Sequence, residues 1–443
     1  MSTNPLPLDG AFADLPVVIQ PKIAVRPAGD WRDQLICSKG RRDEPGGPKP
    51  LLANAITALR AAPEWEGVLA FDEFSLRTVA LKPAPWDGAA TGLEWTDHED
   101  RLVANWLQHA SIYVSVEVAG QSVQTVAKDR PFHPVREYLD SLMWDGTKRI
   151  DTWLTRYLGA EATEYTAAVG ARWLISAVAR IYMPGEKVDC CLILEGPQGI
   201  KKSMALRTMA HAWFTDEIAE LGSKDSAMQT RGVWIIEIAE LDSMTRSEVG
   251  RIKAFMSRST DRFRPPYCKR LIESPRQCVF AGSVNHNTYL RDETGGRRFW
   301  PVTCQRILID ELERDRDQLW GETVARFRGG ANWWLDSAEL SRAAEREQAD
   351  RYEGDPWDEL TANWLKQPSP RDDGMGHPVA AFSSTSDSVT VSDVLNHCIG
   401  KPQDQWSQSD KNRVARSLHA LGWERYRARS AMEREWRYRR VSQ

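Results

Sequence analysis

Lys202 and Ser203 close a glycine-bearing loop, Gly196-Pro-Gln-Gly-Ile-Lys-Lys-Ser203. That order of residue types suits a bound phosphate. Backbone N–H groups of the loop and of a following helix face an anion, an ammonium neutralises charge, and a hydroxyl ligates Mg²⁺. Gly196 and Gly199 let the backbone approach the anion closely. The spacing therefore predicts a nucleoside triphosphate site, with Lys202 on the β- and γ-phosphates and Ser203 on the Mg²⁺ of ATP. The usual pattern has glycine directly before the Lys-Ser pair, and here Lys201 stands in its place. Lys201 adds charge to the loop. If its backbone needs positive φ, its Cβ brings strain on the order of 1 kcal/mol or more.

Further chemistry-bearing residues end two other apolar runs. Gly232–Glu240 carries Glu237 and Glu240, acids able to polarise an attacking water or hold a metal's water shell. A straight strand points only one of them at the ligand face. Glu240 is the first choice because it lies nearer the end, and two solvated acids are the plain alternative. Asn285 closes the run from Cys278 and suits either a γ-phosphate sensor or an ordinary turn. Arg297 and Arg298 follow a Gly-Gly turn. They suit transition-state charge on a phosphoryl group, supplied in cis or by a neighbouring subunit, or they form a surface pair. Between residues 251 and 276, eight Lys/Arg face two acids, an excess of +6 broken by Pro265-Pro266. A hairpin there would track a nucleic-acid backbone through Lys253, Arg262, Arg264, Lys269 and Arg270. Salt bridges at a subunit interface explain the run equally well.

These residues need elements to position them. From Ile150 to Tyr182 the apolar positions recur near every 3.6 residues, which predicts helix. Strand-like runs then alternate with helical ones, Arg246 to Phe255 among them. The pattern predicts an α/β domain whose parallel sheet presents ligand at the strands' carboxyl ends. Residues 1–29 read as a flexible leader, 30–130 as a small mixed α+β accessory domain, and 131–345 as the phosphate-loop domain with a helical lead-in. Residues 346–388 read as connector and linker. The tail, 389–443, holds eleven Lys/Arg against six acids. Two helices followed by a two-stranded ribbon there suggest a winged-helix-like module for DNA, or for a protein partner. The net charge of −4 decides nothing about nucleic acid. Seven cysteines without CxxC spacing fit a reducing cytoplasm, and no apolar run is long enough to span a membrane.

The strings Phe132-His-Pro-Val, Trp144-Asp-Gly, the phosphate loop, Ile235-Ile-Glu-Ile-Ala-Glu-Leu, Asp261-Arg-Phe-Arg-Pro-Pro-Tyr267 and Gly296-Arg-Arg-Phe-Trp-Pro301 resemble the virulence-associated E family. That family is related to the superfamily 3 helicases of phages and plasmids. The resemblance implies an AAA+-like P-loop ATPase, a homo-hexamer translocating on DNA during replication of a mobile element. It implies single-stranded DNA in the ring, duplex at the C-terminal module, and a primase or replication-initiation partner. It places Lys202 and Ser203 in the phosphate loop, Glu240 as the acid of the second motif, Asn285 as sensor, and Arg297 or Arg298 as a finger across subunits. Lys201 departs from the family loop. The competing reading is therefore a DNA-binding assembly or regulatory protein that binds nucleotide without turnover. Residues 1–130 show no metal-binding carboxylate cluster, so priming is not assigned.

Overall fold

A computed structural model describes residues 30–40, 46–217, 224–241, 244–264, 271–285, 289–290, 296–351, 356–366, 388–429 and 434–440. The chain divides into two compact units, Met1–Arg351 and Tyr352–Gln443.

The first unit opens with helix α1 (Leu52–Ala61), strands β1 (Leu69–Asp72) and β2 (Arg77–Ala80), helices α2 (Asp97–His109) and α3 (Val116–Ala127), and the short β3 (Pro131–Phe132). The strands form a sheet in the order β2-β1-β3. Thr96 and Glu99 make a capping box that starts α2. Trp31, Trp65, Leu69, Leu107 and Val123 belong to the core of this part.

The lead-in to the phosphate loop is helical: α4 (Pro134–Ser141), α5 (Trp153–Leu158) and α6 (Glu164–Tyr182). The single helix expected over 150–182 is two, because Gly159 adopts the left-handed conformation that ends α5. The central layer follows: β4 (Cys191–Glu195), α7 (Lys202–Ala210), β5 (Phe214–Thr215), α8 (Lys224–Gln229), β6 (Ile235–Ile238), α9 (Arg246–Met256), the hairpin β7 (Thr260–Phe263) and β8 (Ile272–Pro275), then β9 (Val279–Val284) and β10 (Phe299–Thr303). Five of these strands make one parallel sheet, ordered β10-β4-β9-β6-β5. The α/β class with a parallel sheet is thus as the apolar runs predicted.

Side-chain parity explains how the sheet is covered. Leu192 and Leu194 of β4, Ala281 of β9 and Ile235 of β6 join the core formed with α6, α7 and α10 (Ile309–Arg328). Cys191 and Ile193, Phe280, and Ile236 and Ile238 join the opposite core, with Val249, Ile252 and Phe255 of α9. Both faces are buried, so the strands read as unbroken apolar runs. Indole N–H groups fasten the layers. Trp173 donates to the Phe280 carbonyl at 2.8 Å, Trp234 to Ala177 at 3.0 Å and Trp320 to Met209 at 3.0 Å. Helix α11 (Ala338–Asp350) ends this unit, so the first residues of the expected connector finish a packed helix.

The second unit contains α12 (Pro356–Lys366), β11 (Ser388–Val389), α13 (Val391–Asp393) running into a π-helical turn to Ile399, α14 (Gln408–Ala420), β12 (Trp423–Arg429) and β13 (Arg434–Arg440). Its antiparallel sheet has the order β11-β13-β12. Trp364, Val389, Leu395, Val414, Leu418 and Tyr438 form its core. Part of the expected linker is therefore helix α12. Residues 367–387 and the leader 1–29 lie outside the described residues. Among the described residues, no helix is long and apolar enough to cross a membrane.

Candidate functional site

Chain order reverses around β4: β9 lies on one side of it and β10 on the other. A crevice at the carboxyl ends of the strands is the expected place for a ligand in such a sheet. The loop 196–201 leaves β4 at that edge and enters α7. Gly196 has φ +147°, and a Cβ there would fall 2.5 Å from the Cys304 carbonyl oxygen, so only glycine fits. Gly199 turns the loop at φ +85°. Lys201 occupies the left-handed region at φ 76°, ψ 31°, the conformation glycine would supply. The loop forms with lysine there, at a cost of roughly 1–2 kcal/mol. Helix α7 has no side-chain cap at its start, which leaves its first-turn N–H groups for an anion.

Lys202 is 7% exposed. Its ammonium donates to the carbonyls of Gly196 (2.6 Å) and Pro197 (3.0 Å) and to Asn285 Oδ1 (3.1 Å). Asn285, just past β9, is thereby brought to the phosphate loop. Ser203 Oγ donates to Glu237 Oε1 at 2.8 Å. Glu237 is 2% exposed, and its second oxygen, Oε2, has no hydrogen-bond partner among the described residues.

Glu237, and not Glu240, is the acid at the loop. Strand β6 pairs Glu237 with Ala281, on the sheet face that α7 covers. Ile238 has the opposite parity and faces α9. The strand stops at Ile238, so nearness to the end of the apolar run was a poor guide. Glu240 lies in the following turn, exposed, at φ 52°.

A buried carboxylate oxygen without a partner is costly, and a cation satisfies it. Mg²⁺ is commonly held by one or two protein oxygens while water and substrate phosphates supply the rest. Ser203 Oγ and Glu237 fit that role. Among the described residues, no group of three or more His, Cys, Asp or Glu could hold a metal without such help.

Arg297 and Arg298 are not brought to the loop. They directly precede β10, whose first residue Phe299 pairs with Cys191, the first residue of β4. They sit at the amino edge of the sheet, and the loop sits at the carboxyl edge, about 13 Å away at about 3.3 Å per residue. Arg298 donates to Ser257 Oγ at 3.0 Å and lies 3.8 Å from Asp189. Arg297 is exposed.

The basic segment is a hairpin in part. Arg276 and Asp261, both buried, close its base with bonds of 2.6 and 2.8 Å, and the Arg276 guanidinium lies 4.0 Å over the Phe255 ring. Arg262, 70% exposed at its side chain, pairs with Glu273, and Arg264 is exposed. Lys253 does not belong to that surface. It is 7% exposed, with its ammonium 5.7 Å over the Phe299 ring, because its position on α9 turns it into the core. Lys269 and Arg270 lie outside the described residues.

Sequence reasoning missed a buried cluster beneath the loop. Glu195, the last residue of β4, is fully buried and makes two 2.9 Å bonds to Arg351. It also accepts from Tyr289 (2.9 Å) and Thr303 (2.8 Å). Burial, then the neighbouring Glu195 carboxylate, pushes the Tyr289 phenol well above its ordinary value, so it remains a donor. The backbone N–H groups of Tyr289 and Leu290 both donate to the Arg351 carbonyl. The cluster joins the start of the phosphate loop, the segment beyond Asn285 and the end of α11. A lone acid ending an apolar strand was the available signal. Its partner lies 156 positions away.

Comparison with known families decides the kinship. The profile of the virulence-associated protein E-like domain matches residues 139–353. This part of the chain is a virulence-associated protein E-like domain. It includes the whole parallel sheet, the phosphate loop, Glu237, Asn285, both arginines and Arg351. The Phe132–Val135 string lies just before it. No curated protein matches the chain. Among solved structures, the chain is similar to the apo structure of the NrS-1 C terminal region (305–718). The TM-score is 0.45 at 14% identity, covering 84% of this chain and 96% of that one. It is also similar to the A form apo structure of that region, with TM-score 0.43 at 12% identity and the same coverage.

Proposed function

We propose that the virulence-associated protein E-like domain is a Mg²⁺-dependent P-loop ATPase, and that the chain is a DNA helicase or translocase serving replication of a phage or other mobile element. The observation that supports this reading is the pairing of Ser203 with buried Glu237, whose Oε2 has no hydrogen-bond partner among the described residues, beside the Lys202–Asn285 contact.

Each residue has a task. The loop N–H groups and the start of α7 bind the triphosphate. Lys202 exchanges carbonyl partners for β- and γ-phosphate oxygens. Ser203 and Glu237 would hold Mg²⁺, which supplies charge neutralisation on those oxygens. Asn285 senses the γ-phosphate through its contact with Lys202 and orients the attacking water. The exposed arginines of the β7–β8 hairpin, Arg262 and Arg264, follow a single strand. Arg297 or Arg298 acts on a neighbouring subunit's triphosphate in a homo-hexameric ring. The second unit is a winged-helix-like module, a reading supported by its β11-β13-β12 sheet and its two preceding helices.

The test is phosphate release with and without single-stranded DNA. The native chain releases phosphate, DNA stimulates it, and Lys202→Ala abolishes it. Unchanged release in that variant removes the loop from the mechanism. The left-handed Lys201 favours a second reading, a nucleotide-binding assembly protein without useful turnover. Release that appears only in Lys201→Gly selects that reading. For the finger, mixing Arg297→Ala/Arg298→Ala chains with Lys202→Ala chains restores part of the activity. No restoration at any ratio rejects the assignment in trans.

A further inference from the structure

We propose that the second unit reads duplex DNA by sequence, with Asn412 and Arg416 of α14 on base edges and the β12–β13 ribbon on the sugar–phosphate backbone. The proposal rests on the winged-helix reading and adds sequence selectivity, which a ring motor does not require.

Helix α14 has two unlike sides. Val414, Ser417 and Leu418 are buried. Ser417 also bonds to Asp358 of α12, and the Arg413 guanidinium stacks 3.9 Å over the Trp357 ring. These contacts fix the inner side. At 100° per residue, Gln408, Asn412 and Arg416 fall in one narrow stripe opposite it, and His419 borders that stripe with its ring edge-on to Tyr438. All four are exposed. Asn and Gln suit adenine and Arg suits guanine in the major groove, through paired donors and acceptors. Gln408 Nε2 donates to Asn412 Oδ1 at 3.0 Å and orients that amide. The helix's one acid, Asp410, is engaged by Lys401 at 2.6 Å and by the Ser407 cap, away from the stripe.

The ribbon supplies the phosphate contacts. Residues 423–429 and 434–440 contain seven arginines against two glutamates. Arg427 pairs across the strands with Trp436, which is 48% exposed. The guanidiniums of Arg425 and Arg427 lie 4.0 and 5.6 Å from its ring. This charged end of the ribbon has the same sheet face as Tyr438 and so adjoins the helical side of the unit. The partner is DNA, because an α-helix enters the B-form major groove, whereas the A-form groove is too deep and narrow for it.

The experiment is selection of random duplexes by the full chain without nucleotide. The expected result is an enriched motif. Arg416→Ala or Asn412→Ala lowers the preference for that motif over a scrambled duplex by about 5- to 140-fold. Arg425→Ala weakens both duplexes alike and lowers the salt slope by about 1. Thermal melting checks that the variants are folded. Lys202→Ala leaves the selected motif unchanged, so failure here is separable from failure of the ATPase reading. An enrichment indifferent to both α14 substitutions overturns the proposal, as does preference for duplex RNA. Absence of duplex binding at low salt overturns it too, and leaves a protein-contact module.

Discussion

Replacing Glu237 by glutamine makes opposite predictions for the empty and the nucleotide-bound protein. In the empty protein the Oε1 contact to Ser203 survives, since an amide oxygen also accepts. The change removes a buried carboxylate whose Oε2 has no partner among the described residues, a burden of several kcal/mol. It leaves a buried amide N–H instead, costing about 1–3 kcal/mol. The difference favours Glu237→Gln by about 1–3 kcal/mol, a rise in melting temperature of a few °C. With Mg-ATP at 100 times its Kd, the native protein gains about 2.7 kcal/mol. Glu237→Gln loses the Mg²⁺-dependent part of that gain, because a neutral amide is a poor Mg²⁺ ligand. The assay is thermal melting in four conditions: no ligand, Mg²⁺, ATP with a chelator, and Mg-ATP. Glu240→Gln is the control, and its exposed side chain predicts a shift within about 0.5 kcal/mol. A Glu237→Gln chain that melts lower than native when empty, yet keeps the full Mg²⁺-dependent rise, refutes the argument from the orphaned oxygen.

Two further outcomes test the frame around the site. Arg351→Met leaves Glu195 buried and uncompensated and costs about 3–5 kcal/mol in urea unfolding, whereas Glu195→Gln/Arg351→Met recovers most of the loss; additive losses would show that the pair is not coupled. Burial holds the His133 pKa below its ordinary 6.5, so the unfolded chain binds a proton that the native chain resists. Stability is full above that value and falls as pH drops below it. His133 accepts from the Arg136 N–H to cap α4 and its other nitrogen meets Gln277, so protonation also removes the cap acceptor. His133→Asn, itself a good cap, flattens the acid side of the stability profile, and an unchanged slope rejects this origin.

The sheet was legible in the sequence because its strands are buried on both faces and read as continuous apolar runs. Cys191–Glu195, Ile235–Ile238 and Val279–Val284 stand out for that reason. The short β5 has two residues and carries no pattern of its own. Strand order was not legible, since nothing local places β9 between β4 and β6. The turn from β4 into α7 was legible through Gly196, Gly199, Lys202 and Ser203. The identity of its acid was not, because parity matters only once the strand's last residue is known, and one residue's difference moves a side chain to the other face. Lys253 shows the same limit. A charge count over 251–276 cannot distinguish an outward lysine from one whose ammonium rests on an aromatic ring inside the fold.

The distribution of backbone strain and charge bears on whether the proposed ATPase site is completed within one copy of this sheet. Lys201 and Glu240 are two of five non-glycine residues at positive φ among the described residues, and both lie beyond the carboxyl ends of β4 and β6. Such conformations persist where surrounding structure holds them in place, and they gather at working sites. The cluster around Glu195 is that surrounding structure for the phosphate loop. It is anchored in β4, β10, the segment after β9 and the end of α11, so strain in the loop is met by four separate parts of the chain. The arginines suited to transition-state charge are fixed at the other edge. Arg298 is held there by Ser257, and five-residue strands separate it from the loop 196–201. A rigid parallel sheet cannot fold its amino edge onto its carboxyl edge. If arginine completes this site, it comes from another copy of the chain, and hydrolysis then depends on assembly.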